Sequence, residues 1–264
     1  MSLLHEALRA GHRPLPSSNA GKARHVLVAG GAGALGAAVL EELLADGTFG
    51  RVAVLVTQPL NTALRGLAVV AADTLHQPAV PTEDTAIVVF DRERHANGRE
   101  QAFLRPAPQD LPSLAAALRS RGVRRLVVVM PHASATLPEA LKQGLANLDE
   151  HAVAALDFEQ LVFVRSAQPS SGSAASHTLQ RVADWVLAQL SLMIPQRDKP
   201  VRARKVALFV AALARALPQA PGGTRVVPPE LIWDASQARD VATLVDDWLH
   251  GRATAQPGVR PMRM

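Results

Sequence analysis

The sequence predicts an α/β fold built on a doubly wound parallel sheet. Three observations carry that expectation. Short apolar runs of strand length recur along the 264 residues, stretches of helical period separate them, and the first run leads through a glycine-rich turn into the first helix. Val26, Leu27 and Val28 form an uninterrupted apolar run, as expected of a strand covered on both faces, and place the first strand at 25–29. Ala37, Ala38, Val39, Leu43 and Leu44 then repeat at helical spacing and predict a helix over 34–45. Further strands are predicted at 51–56, 67–71, 86–90, 125–130, 161–165 and 225–227, with helices at 112–121, 137–156, 177–191, 201–216 and 236–249. Between Phe90 and Pro112 runs a long charged connection, functional or poorly ordered at that length, in which Asp91 reads as solvated charge.

Length and composition bound the rest. With 48% hydrophobic and 19% charged residues the chain is globular, and its length suits one large domain over 24–250. Residues 1–23 read as an N-terminal extension: His5, Glu6 and Arg9 interrupt its apolar stretch, unlike a secretory signal, and a Pro/Ser linker follows. Residues 251–264 read as a tail. No apolar run of about 18 residues predicts a membrane span. The absence of cysteine excludes disulfides, thiolate catalysis and zinc–sulfur sites, and makes the cytoplasm the default compartment. A net charge of +5 raises nucleic acid as a partner. The basic residues are scattered, however, the densest run (Arg197 to Lys205) contains Asp198, and aromatics are only 3%, so a solvated basic face is the expectation instead.

The chemistry concentrates in the turn between the first strand and helix. Gly31, Gly33 and Gly36 satisfy G-x-G-x-x-G, while Gly30, Gly33 and Gly36 satisfy G-x-x-G-x-x-G. Such glycines permit a tight turn, let backbone N–H groups approach a pyrophosphate, and let helix and strand pack closely. A strand before and a helix after supply the context that makes the motif credible, so a Rossmann-type dinucleotide site is expected, with phosphates at the helix N-terminus near Ala34 and Leu35. Ligands in open α/β sheets bind beyond the carboxyl ends of the strands, which singles out Thr57, Gln58, Asp73, Thr74, Phe90, Asp91, Met130 to Ser134 and Arg165 to Gln168, with Thr57, Gln58, Asp73, Thr74, Phe90, Pro131 and Arg165 as candidate cofactor contacts. Asp73 is equally suited to capping a turn, and Arg165 to binding carbonyls or a helix carboxylate. Thr57 and Gln58 stand where an acid would select NAD. Their neutrality, with Arg65 nearby, leans the cofactor toward NADP. The histidines never fall into metal-binding spacing, and no G-x-S-x-G elbow or G-x-x-x-x-G-K-[ST] loop occurs.

The glycine turn, GLAVVAADTL, RRLVVVMPHAS, FEQLVFVRSAQP and ASQARDVATLVDDWL, in that order over about residues 24 to 250, resemble the short-chain dehydrogenase/reductase superfamily, in particular its atypical, NmrA-like branch. Leu161 to Arg165 is similar to a strand of that branch, with Ser166 in place of its proline, and Asp240, Val241, Ala242 and Leu244 fit its late helix. The resemblance implies an NAD(P)-binding protein, an oxidoreductase, epimerase or dehydratase in kind. It also implies a small C-terminal substrate or lid region within about 166–235, and helices at 112–121 and 137–156 placed where relatives pair as homodimers. Members use a Tyr-x-x-x-Lys pair to pass a proton while hydride moves. This chain has no tyrosine: anchored on Lys142 the tyrosine position holds Pro138, and anchored on Arg165 it holds Lys142, with Ala146 at the lysine position. His132, at a strand's carboxyl end, is the substitute proton donor to consider, with Ser134 or Lys142 assisting, and a loop histidine without a role is the plainer alternative. Two expectations therefore stand: a dinucleotide enzyme with rebuilt catalytic residues acting on an unidentified small molecule, or a non-catalytic dinucleotide or redox sensor that signals to a protein partner.

Overall fold

The computed structural model describes residues 24–60, 66–77, 83–91, 100–131, 150–166 and 201–252. Its strands are β1 (Arg24–Ala29), β2 (Phe49–Val56), β3 (Leu67–Ala71), β4 (Thr85–Val89), β5 (Arg125–Pro131), β6 (Gln160–Ser166) and β7 (Gly223–Val227). Its helices are α1 (Gly33–Ala45), α2 (Leu111–Ser120), α3 (Ala203–Ala216), α4 (Pro229–Gln237) and α5 (Val241–Leu249), and residues 150–154 are also helical. The strands form one sheet in the order β3-β2-β1-β4-β5-β6-β7, every neighbouring pair parallel. This is a Rossmann-type fold. Its strand order reverses between β1 and β4, and the crevice of such sheets opens at the carboxyl ends of those two strands.

Burial follows the two-residue period of the strands. In β1, Val26 and Val28 face a layer made by α1, α3, α4 and α5, where Leu35, Val39, Phe209, Val210, Ile232 and Val245 pack together. Leu27 and Ala29 face the opposite layer, with Leu111, Leu114 and Leu118 of α2 and Phe158. All three central residues of β1 are fully buried, which is why its sequence lacks the polar alternation of a half-exposed strand. Each fully buried leucine or phenylalanine contributes about 1.5–3 kcal/mol.

One expectation is corrected at the C-terminal end. The helix predicted over 236–249 starts later, as α5 at Val241, and a separate helix, α4, precedes it where none was predicted. Ala238 leaves the helical region (φ −66°, ψ 145°), and the Asp240 carboxylate accepts hydrogen bonds from the N–H groups of Ala242 and Thr243, so the chain restarts as α5 behind a new N-cap. The first of the pair, α4, begins with Pro229 after Pro228, where a proline loses no helical hydrogen bond. Within the range expected to hold a lid, 203–216 and 223–227 are α3 and β7, the helix and strand predicted there, and 167–200 lie outside the described residues.

Candidate functional site

Parallel pairing brings the carboxyl ends of all seven strands to one edge of the sheet, so the glycine turn after β1 and the residues after β2 to β6 share that edge. Within the turn, the structure separates the two overlapping glycine spacings. Gly30 and Gly33 have φ of +90° and +80°, a backbone region that favours glycine. A Cβ on Gly30 would stand 2.0 Å from the Val89 carbonyl oxygen, and one on Gly36 would stand 2.0 Å from the Gly30 carbonyl oxygen. Gly31 has neither a positive φ nor a backbone clash: its Cβ would meet the side chains of Leu40 and Val54 at 2.8 and 2.9 Å. The backbone constraints thus fall on Gly30, Gly33 and Gly36, the G-x-x-G-x-x-G set. They seal β1, β4 and the start of α1 against one another and leave the N–H groups of the first turn of α1 at the crevice.

One of those N–H groups is already engaged. Ala32, the N-cap of α1, has no side chain to accept a hydrogen bond, and the first turn of the helix holds no acidic residue. The acceptor comes from the end of β4: Oδ2 of Asp91 takes a hydrogen bond from the Leu35 N–H at 2.8 Å. Its carboxylate lies so close over Gly33 that a Cβ there would sit 2.5 Å from Oδ2. Asp91 is half-buried, so the expectation of solvated charge is corrected. The physical reason is that a helix N-terminus attracts an anion, and an uncapped one at the switch point has this carboxylate as its neighbour.

Beyond Asp91 the chain returns over the same edge. Phe103 bridges Val56 in an antiparallel sense, the Thr57 N–H donates to the Ala102 carbonyl at 2.8 Å, and the Leu104 N–H donates to the Leu55 carbonyl at 2.9 Å. Phe103 and Pro106 lie 3.4 Å from where Cβ atoms on Gly31 and Gly30 would stand. Residues 102–106 therefore form a strap from the end of β2 across the glycine turn. Between this strap (Leu104, Pro106), the turn after β3 (Ala72, Leu75) and α2 (Leu114, Ala117) remains a cavity of about 210 Å³, below the 300–1,000 Å³ usual for a small-molecule site.

The other expected contacts are spread along the edge. Thr57 and Gln58 are exposed at the end of β2, and the Thr57 backbone is tied to the strap. Asp73 is exposed in the short 3-10 turn after β3, where the Thr74 hydroxyl donates to the Ala71 carbonyl. Phe90 is buried, its N–H bonded to Val129. Ala34 is exposed and Leu35 buried in the first turn of α1. Pro131 ends β5 beside Ser166 of β6. Arg165 places Nη2 2.9 Å from both carboxylate oxygens of Glu150, which leaves the guanidinium committed to the helical segment at 150–154. His132, Ser134, Lys142 and Arg65 lie outside the described residues. Among the described residues no group of three or more acidic or histidine side chains is placed to hold a metal ion, and no helix is long and apolar enough to cross a membrane.

A dinucleotide fits the turn in shape but not in its present hydrogen bonding. The glycines provide a cradle that a side chain would fill, while the Leu35 donor that would meet a phosphate holds the Asp91 carboxylate, and the strap lies beside the turn at the end of β2. Sequence reasoning placed Asp91 at this edge but read it as solvated charge and missed its bond to the start of α1. The available signal was an uncapped helix start, GGAGALG, together with an acid directly after a buried strand on the far side of the switch point.

No protein-family model matches the chain, and no curated protein matches its sequence. Solved structures with a similar backbone include a Rossmann-fold NAD(P)-binding family protein from Shigella flexneri, 17% identical over 73% of this chain and 86% of that one, with a TM-score of 0.44. The Bordetella bronchiseptica enzyme WbmG in complex with NAD is 17% identical over 87% of this chain and 94% of its own, with a TM-score of 0.41. The triphenylmethane reductase of Citrobacter sp. complexed with NADP(H) is 14% identical over 84% of this chain and 95% of its own, with a TM-score of 0.42.

Proposed function

We propose that the protein binds a nicotinamide dinucleotide, NADP in preference to NAD, at the Gly30–Gly36 turn, and that it works as a dinucleotide- or redox-responsive binding protein signalling to a protein partner. The observation that carries the reading is the turn itself: Gly30 and Gly33 at positive φ, and Gly30 and Gly36 so close to backbone that no side chain fits. A bound dinucleotide would supply a nicotinamide able to accept or release hydride. The binding role is favoured over turnover because the chain has no tyrosine for the proton relay its sequence resemblance implies. NADP is favoured because no acidic side chain follows β2 to repel a 2′-phosphate.

The test is a thermal-shift titration with NADPH, NADH, NADP and NAD, followed in parallel by quenching of Trp185, Trp233 and Trp248. Ligand at about 100 times its dissociation constant stabilises the native state by about 2.7 kcal/mol, a shift of several degrees at this size. A shift that disappears in Gly33→Asp is the expected result, and no shift with any of the four removes the reading. Turnover is assayed against a panel of small carbonyls and alcohols. Cofactor oxidation or reduction that falls in His132→Ala, with support from Ser134 or Lys142, would replace the sensor by an oxidoreductase, epimerase or dehydratase with rebuilt residues.

A further inference from the structure

We propose that Asp91 and the 102–106 strap are an internal occupant of the phosphate seat, so that a dinucleotide binds only by displacing the Asp91 carboxylate from the Leu35 N–H. This inference rests on the dinucleotide reading of the glycine turn. Leu35 has a single N–H, and it points into an acceptor at 2.8 Å. A phosphate oxygen arriving at that donor has to replace Oδ2, because two acceptors share one hydrogen poorly. It also meets a like charge held against Gly33, where a Cβ would stand 2.5 Å from Oδ2. The strap adds bulk to charge: Phe103, packed against the core, and Pro106 lie beside Gly31 and Gly30, and two backbone hydrogen bonds hold the strap to the end of β2. The closed arrangement is self-consistent, since the carboxylate supplies the cap that the helix lacks in its own sequence.

The apparent affinity is then the intrinsic affinity multiplied by the small fraction of molecules in which the carboxylate has left its seat. Occupancy by ligand and occupancy by Asp91 exclude each other. Binding therefore moves the Asp91 carboxylate at the end of β4, which gives a sensor a displacement to report.

The experiment is isothermal titration of the full chain with NADPH and with NAD at fixed ionic strength, on the wild type, Asp91→Asn, Asp91→Ala and Phe103→Ala. Asp91→Asn keeps an oxygen able to accept from Leu35 while removing the charge. Asp91→Ala empties the seat, and Phe103→Ala thins the strap without changing charge. The expected result is at least tenfold tighter binding in both Asp91 variants and a severalfold gain in Phe103→Ala. Should Asp91→Ala fail to fold by circular dichroism, the other two variants carry the same readout. Measurable affinities equal within twofold across all folded proteins would overturn the internal occupant and leave the dinucleotide reading standing. No binding by any of them would remove both.

Discussion

Replacing Gly36 by alanine tests the packing on which the site is built. The added Cβ would lie 2.0 Å from the Gly30 carbonyl oxygen and within 3.0 Å of the Gly30 and Gly31 carbonyl carbons. These are backbone atoms, so no rotamer change relieves the contact. Restoring an ordinary separation of 3.4 Å from 2.0 Å requires α1 and the turn to part by about 1.4 Å, against the packing of Leu35, Val39, Leu40 and Leu43 in the core. Overpacking of this kind costs about 3 kcal/mol, and the better helix propensity of alanine offsets about 1 kcal/mol of it. The net loss is about 2 kcal/mol, or about 4–8 °C in Tm at this size. Gly47→Ala is the control: it places alanine at φ +67° with nothing within 4 Å, so it incurs only left-handed backbone strain of about 1 kcal/mol. Thermal and urea denaturation of the two variants measure the difference. A Gly36→Ala protein as stable as wild type, or more stable than Gly47→Ala, refutes the close approach of helix and strand described here.

Other consequences are equally direct. Leu118→Ala empties a fully buried position in the layer between α2 and the sheet, and a loss of about 3 kcal/mol is expected as a lower urea midpoint at unchanged slope. Arg165→Ala removes the partner of the Glu150 carboxylate, which is 12% exposed, so stability falls by about 2 kcal/mol and Glu150→Gln in the same background recovers part of it. Dinucleotide affinity, read by titration, stays within twofold, since Glu150 holds Nη2 of the guanidinium and offsets its charge. The hydroxyl and N–H of Thr243 hold the Asp240 carboxyl below the ordinary aspartate range. A depressed folded-state pKa contributes stability above the unfolded value that is lost as pH falls through the folded one. The Tm gap between wild type and Asp240→Ala is therefore constant near neutrality and narrows below about pH 4, and a gap that widens in acid would contradict the cap.

The sheet was legible because strands buried on both faces leave little choice of residue. All seven predicted strands are present among the described residues, and 67–71 has its predicted limits. Periodicity alone did not reveal the break at Ala238, because Val241, Leu244 and Val245 stay in helical register with the residues before it; the competing signal was Asp240, a capping residue inside an apolar pattern. The glycine turn was readable as a motif. Which three glycines bear its backbone constraints was not, since that depends on contacts with Val89 across the switch point. The bond from Leu35 to Asp91 was hidden for the same reason, the two being 56 residues apart. The strap was hidden because its pairing to β2 uses backbone groups, which any sequence supplies.

The distance along the chain between Leu35 and Asp91 also has a temporal meaning. The hydrogen bonds inside α1 close locally, but the bond at its N-terminus cannot form until β2 and β3 have been laid down and β4 has docked beside β1. The first turn of α1 is thus the last part of its βα unit to become protected. In native-state hydrogen exchange, the Leu35 amide is expected to open with the β4 edge rather than with the Val39–Leu43 stretch of its own helix.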